Sequence, residues 1–221
     1  MLRNIAVGEY YHIYNRGNNK QTIFHDERDY IRFLFLILHL QSNTVFCNIG
    51  RHVNYFVKHR MFNTKEGLKN ILRTRFVELT GFAIMPNHFH LIIVGVKDGG
   101  VSEYMRRLQD AYTKYYNTKY KRTGHLFQGP YKAVHIKNNN QLLHLSAYIH
   151  KNPRELTNWK NKEYLYPWSS YQNYLNNRWG ELLKIDIILE QFDTPEKYKN
   201  FVKNSTAKEP LNDNYLLDCD V

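Results

Sequence analysis

Two histidines one residue apart, His88 and His90, stand in the stretch Met85-Pro86-Asn87-His88-Phe89-His90-Leu91-Ile92-Ile93-Val94. The run is rich in Ile and Val, lies between Pro86 and Gly95, and is too short for a typical helix, so it reads as a strand. Side chains i and i+2 of a strand share a face, which projects both imidazoles together and turns Phe89 to the other side. Paired imidazoles are the beginning of a divalent-metal site. The same pattern also suits two polar residues on the solvated face of a half-buried strand. A second spacing lies downstream, where Tyr148 and Asn152 are four residues apart near the end of a predicted helix. They share a helical face and lie about 6 Å apart along the axis. Pro153 disfavours the helical conformation at the residue before it, so the helix is expected to end at Asn152. A carbonyl oxygen held there suits a hard metal ion. A core tyrosine with a C-capping asparagine would leave the same spacing.

The elements that must carry these residues can be read in order. Residues 9–16 are dense in Tyr and Ile and form a first strand that closes in the polar turn Gly17-Asn18-Asn19-Lys20. Asp26 is placed to cap a helix running to about Leu40, with Ile31, Leu34, Phe35 and Leu38 as its apolar face. Between residues 42 and 75 a short strand at Val45-Phe46-Cys47-Asn48-Ile49 and a helix capped by Thr64 and ending near Thr74 are the readable pieces. Residues 76–84 read as a strand that returns, antiparallel, through a short turn or bulge into the histidine strand. Ser102 is placed to cap a long helix to about Tyr120. A glycine-punctuated loop, a strand over 131–136 and the helix over 141–150 follow. Residues 166–171 read as a packing loop and a short helix. Beyond residue 176, Leu182 to Leu189 suggests a short apolar helix, Thr194-Pro195-Glu196 starts another, and residues 209–221 form a loose acidic tail.

Composition narrows the partners. The 221 residues carry 31 Lys and Arg against 20 Asp and Glu, a net charge of +11, which favours polyanions. Residues 105–137 hold Arg106, Arg107, Lys114, Lys119, Lys121, Arg122, Lys132 and Lys137 against Asp110 alone. Tyr112, Tyr115, Tyr116, Tyr120, Phe127 and Tyr131 interleave with them. Cations for phosphates and rings for unstacked bases are the means of binding single-stranded nucleic acid, and a solvated helix with inward-packed tyrosines has the same pattern. Arg16 and Lys20 at the first turn are further candidates for phosphate contact. No apolar run reaches the roughly 18 residues that span a membrane, and the N-terminus lacks the apolar core of a signal peptide. Cys47 and Cys219 form no metal motif, so a cytoplasmic protein with free thiols is expected.

Four segments carry a resemblance to a known family: Tyr11-His12-Ile13-Tyr14-Asn15-Arg16-Gly17, Met85-Pro86-Asn87-His88-Phe89-His90, Gly124-His125-Leu126-Phe127-Gln128-Gly129 and Tyr148-Ile149-His150-Lys151-Asn152-Pro153, with Trp168-Ser169-Ser170-Tyr171 fitting behind them. Together they resemble the single-tyrosine HUH transposases, in particular the REP-associated tyrosine transposases. That resemblance implies an α+β fold, a ferredoxin-like or RRM-like antiparallel sheet backed by helices, over residues 1–175. Residues 176–221 are then a helical C-terminal extension, and 42–75 read as an insertion. It implies Tyr148 as nucleophile and His88, His90 and Asn152 as ligands of Mg²⁺ or Mn²⁺. The substrate it implies is single-stranded DNA beside a hairpin, cut and rejoined through a 5′-phosphotyrosine. Arg16, Lys20, Arg106, Arg107, Lys114, Arg122 and Lys132 are the expected DNA contacts, on a monomer or homodimer. A binding module without catalysis, or a hydrolytic phosphodiesterase that leaves no protein–DNA adduct, also accounts for the residues.

The charge generates one expectation directly. Affinity for single-stranded DNA should fall steeply with salt, with a log–log slope of several units set by the number of phosphates contacted. Binding curves at a series of salt concentrations measure that slope, and a value near zero would remove the electrostatic footprint.

Overall fold

The computed structural model describes residues 5–45, 47–60 and 67–206. Four strands, β1 (Tyr10–Arg16), β2 (Val77–Met85), β3 (His88–Gly95) and β4 (Lys132–His135), form one antiparallel sheet in the order β2-β3-β1-β4. Helix α1 (Glu27–His39) connects β1 to β2, and α4 (Gly100–Tyr120) connects β3 to β4. With β2-β3 as the central hairpin, this is the ferredoxin-like arrangement, an α+β fold.

The period of two along the strands decides which layer lies where. Phe89, Leu91 and Ile93 of β3, with Ile13 of β1 beside them, face α1 and α4. There the Phe89 ring meets Phe33 at 5.0 Å and Phe127 at 5.9 Å between centroids. His88, His90 and Ile92 turn to the opposite face and are covered by α5 (Asn139–Lys151), whose Tyr148 ring stands edge-on to His90. Every residue of β3 is therefore buried, as expected of a strand with both faces covered. Asp26 caps α1 by accepting from the Asp29 amide, and Asn138 caps α5 by accepting from Gln141.

The outer edge of β2 is closed by chain from beyond α5. Ile84 N donates to Trp168 O at 2.9 Å and Ser170 N to Phe82 O at 2.9 Å, while Phe82 N donates to Ser170 Oγ at 2.8 Å. Helix α6 (Tyr171–Asn176) follows, then α7 (Asp186–Leu189) and α8 (Pro195–Asn204). Helix α8 packs against α5, and Tyr198, Val202 and Ile188 join the same apolar cluster as the sheet. The segment after residue 176 thus shares the core of the sheet domain.

Several local expectations are corrected. Among the described residues of 45–49 no strand forms. Phe46 lies outside the described residues, and Asn48, in the left-handed region, opens α2 (Ile49–His59), which buries Val53 and Phe56. A β-prone run without a strand to pair with gains no ladder, and the apolar spacing of a helix prevails. Thr64 and the acidic tail lie outside the described residues, and α3 (Leu68–Thr74) begins after Gly67 at φ 87°. Helix α4 starts two residues ahead of Ser102, from a left-handed Gly99, and Ser102 Oγ meets the Tyr131 hydroxyl instead. Asn152 keeps right-handed helical angles before Pro153. The missing Pro153 N–H ends the α-ladder, and the chain tightens into a 3₁₀ turn over Asn152–Glu155.

Two histidines buried away from the candidate site set the acid limit. Burial lowers His150 to about 3 and His39 to about 4, against about 6.5 in the unfolded chain. The unfolded chain therefore takes up protons first, so this stability is complete above about pH 6.5 and declines as pH falls toward the folded values. Each histidine costs up to about 1.4 kcal/mol per pH unit in that window. Urea midpoints should drop between about pH 7 and about pH 5, before carboxylates titrate. A flat midpoint across that range would contradict two neutral buried imidazoles.

Candidate active site

The Pro86–Asn87 turn between β2 and β3 is tied to the loop after β1. Gly17 N donates to Asn87 O at 2.8 Å, Asn87 Nδ2 donates to Lys20 O at 3.2 Å, and the amides of Ile23 and Phe24 both donate to Pro86 O. Gly17 is required there by close approach, since a Cβ would lie 2.3 Å from Gln21 O. This anchoring fixes Asn87, whose Oδ1 accepts from His88 Nδ1 at 2.6 Å. With its proton on Nδ1, His88 turns the Nε2 lone pair toward Asn152 Oδ1, 3.1 Å away. Two acceptor atoms facing each other is an arrangement that a cation relieves.

His90 is fully buried, its ring 5.0 Å from His88 and 5.7 Å from Tyr148 between centroids. Its Nδ1 lies 2.9 Å from Nε2 of His12, a buried histidine on β1, and its Nε2 has no hydrogen-bond partner. Burial, then the neighbouring His88 and His12, hold His90 well below its ordinary pKa, and burial lowers His12 to about 3. Both rings are neutral at physiological pH and keep lone pairs. Asn152 Nδ2 is a further buried atom without a partner. The four residues expected to do chemistry, His88, His90, Tyr148 and Asn152, are therefore brought together, each at most 6% exposed. His12 was not among them. Its alternation on β1 places it beside Ile92 and diagonal to His90, which only the β1–β3 register reveals. Among the described residues, no group of three or more His, Cys, Asp or Glu side chains stands ready for a metal. A metal here would rest on two imidazoles and a neutral amide.

Helix α5 is held by a chain of hydrogen bonds. Tyr198 donates to Ser146 Oγ at 3.0 Å, and its hydroxyl lies 2.7 Å from His150 Nδ1. His150 Nε2 in turn lies 2.8 Å from Ser170 Oγ, which also meets Phe82 O at 3.1 Å. One imidazole, two residues from Tyr148, thereby ties α5 to α8 and to the edge of β2.

The expected DNA contacts separate into groups. Arg16 stands opposite His88 in register and Lys132 opposite Tyr14, itself opposite His90, so both flank the histidine face. Arg16 Nε donates to Gln128 Oε1 at 2.6 Å. Lys20 is exposed in the turn at φ 57°, and Arg122 donates to Gln21 at 2.7 Å. Arg106, Arg107 and Lys114 lie on α4, across the sheet from His88 and His90. There Arg106 pairs with Glu103 and Asp110, Arg107 donates to Ser42 O, and Lys114 is exposed.

The aromatic residues of α4 turn inward. Tyr112 donates to Ile23 O at 2.7 Å, and Tyr115 and Tyr120 donate to the buried Asp29 at 2.9 and 2.6 Å, where Lys119 also binds at 2.6 Å. Base stacking by this cluster is replaced by packing against α1, because the spacing that would present rings to DNA is also the spacing of a core-facing stripe.

A comparison with known families now gives the class of the protein, a DNA transposase: residues 7–152 match the family described as Transposase IS200 like. The chain belongs to the IS200-like transposase family. It is also similar to the solved structure of a REP-associated tyrosine transposase bound to a REP hairpin. That similarity has a TM-score of 0.52 at 15% identity and covers 81% of this chain and 87% of that one. At that identity the likeness concerns the fold. No curated protein matches the chain. No helix among the described residues is long and apolar enough to cross a membrane.

The tyrosines around Asp29 predict a structural defect on substitution. Burial pushes the Asp29 carboxyl up, but its bonds to Lys119, Tyr120, the His25 amide and Tyr115 outweigh this and hold it below its ordinary value. That stability is present above the ordinary carboxylate range and is lost as pH falls through the lowered folded value. Asp29→Asn should cost about 2 kcal/mol at neutral pH, where it removes the charge that accepts from Lys119, Tyr115 and Tyr120 and leaves Lys119 with Asp26 alone, and less in acid. Urea unfolding at both pH values measures it, and an unchanged neutral midpoint would count against the network.

Proposed function

We propose that this transposase cleaves and rejoins single-stranded DNA beside hairpins, with Tyr148 as nucleophile and His88, His90 and Asn152 holding Mg²⁺ or Mn²⁺. The observation that carries the reading is that α5 sets Tyr148 against His90 and Asn152 against His88 at once. The orphaned His90 Nε2 and the opposed acceptors of His88 and Asn152 fit a divalent ion. Two imidazoles and an amide suit Mn²⁺, while cellular abundance favours Mg²⁺. Bound there, a divalent ion would supply Lewis-acid polarisation of the scissile phosphate and offset charge in the transition state.

Tyr148 Oη forms a bond to phosphorus while the bond from phosphorus to the 3′ oxygen breaks. The phenol loses a proton and the departing 3′ oxygen gains one, leaving a 5′-phosphotyrosine and a free 3′-OH. Rejoining runs the same exchange backwards, so no ATP is consumed. His12 holds the His90 ring from behind. If it accepts the Nδ1 proton of His90, Nε2 is left free to bind metal. Arg16 and Lys132 flank the face on which the strand lies. The solved relative bound to a REP hairpin supports a hairpin-bearing substrate here.

Tyr148→Phe removes only a hydroxyl, so folding and DNA binding should persist while adduct formation stops. With Mn²⁺ and a panel of single-stranded hairpins, the wild type should give a covalent product on a denaturing gel. Mass spectrometry should locate the nucleotide on the Tyr148 peptide. The paired His88→Ala, His90→Ala variant should lose Mn²⁺ binding and cleavage but keep hairpin binding. An adduct on Tyr115 or Tyr116, or cleavage without an adduct, would overturn the assignment.

A further inference from the structure

The end of α5 closes a cavity of about 360 Å³ that none of the candidate site residues lines. Its wall includes Lys151, the last residue of α5, Arg154 in the 3₁₀ turn that follows, and Lys199 and Lys203 on α8. Against these four cations it holds one carboxylate, Glu163, which Arg154 Nε already engages at 3.0 Å. Among the described residues the three lysines have no ion pair. Lys151 Nζ donates to the backbone carbonyl of Ser205 at 2.5 Å, Lys199 Nζ sits 3.9 Å over the Tyr164 ring, and Lys203 is exposed.

We propose that this cavity is a phosphate subsite for the single-stranded DNA that runs past the end of α5. The chemistry fits, since a guanidinium fork and ammonium groups in a concave wall are the means of holding phosphate oxygens. The position fits as well. Lys151 follows Tyr148 by three residues, about 4.5 Å along the axis and about 60° round the helix, so a strand at the histidine face reaches it without leaving α5. The family match ends at residue 152, so Arg154, Lys199 and Lys203 are contributed by the chain beyond it. The subsite rests on the proposed DNA reaction for its ligand, but its binding is measurable without that reaction.

The test uses the full chain and the variant Lys199→Gln with Lys203→Gln, neither residue belonging to the candidate active site. Inorganic phosphate added to labelled wild-type protein should shift the amides of residues 151, 154, 199 and 203, and the variant should lose those shifts. For single-stranded DNA the variant should bind several-fold more weakly at low salt, with the log–log salt slope shallower by about 1.4, two contacts at about 0.7 each. Adduct formation at saturating DNA should be unchanged. Lys203→Glu alone, a reversal of one exposed charge, should weaken binding in the same direction and guards against a folding defect in the pair. A salt slope equal to wild type in both variants overturns the subsite, and phosphate shifts with an unchanged slope overturn its assignment to DNA. A shallower slope in a protein that forms no adduct supports the subsite while the catalytic reading fails.

Discussion

The candidate site depends on a coincidence of two repeats. Four residues of α-helix advance about 6 Å, and two residues of strand advance about 6.7 Å. A helix laid against a strand and running the other way can therefore meet it twice, once with i and i+4 and once with j+2 and j. Helix α5 does this, with Tyr148 over His90 and Asn152 over His88. Neither contact can be tuned alone, because a slide of one residue along α5 breaks both. The rest of the fold serves to hold that one offset, through the Asn138 cap at one end of α5 and the His150 chain near the other.

Holding it requires polar groups in dry places. His12, His90 and His150 are each at most 1% exposed, and each is neutral because burial disfavours the charged form. His150 finds two hydroxyl partners and is satisfied. His90 keeps one nitrogen unmatched, and an orphan of that kind ordinarily costs 1–3 kcal/mol, roughly.

How much of this was legible varied with sequence distance. The histidine pair and the Tyr148–Asn152 pair were readable because each depends only on the local period of its own element. So was the sheet, once the motifs ordered the strands. His12 was not, because its contact spans 78 residues and exists only in one strand register. The choice between base stacking and inward packing for the α4 tyrosines was not legible for the same reason, since their anchor Asp29 lies some 90 residues upstream on α1. At residues 45–49 the composition was right for a strand, but no neighbouring edge was there to pair with it.

The closed edge of β2 has a consequence for how the chain is made. The two strands of the central hairpin, β2 and β3, are complete by residue 95, and β1 is already available to pair with β3. The far side of β2 receives most of its partners from residues 166–184, with Trp168 and Ser170 on the backbone of Phe82 and Ile84, Tyr166 on Ile84, Tyr174 on Thr80 and Lys184 on Leu79. During synthesis a strand of nine residues, almost wholly apolar, therefore waits with a bare row of amides and carbonyls while some seventy further residues emerge. The sheet is shielded from other chains late, by the same segment that anchors His150, so the seating of α5 and the closing of the edge depend on one stretch of chain.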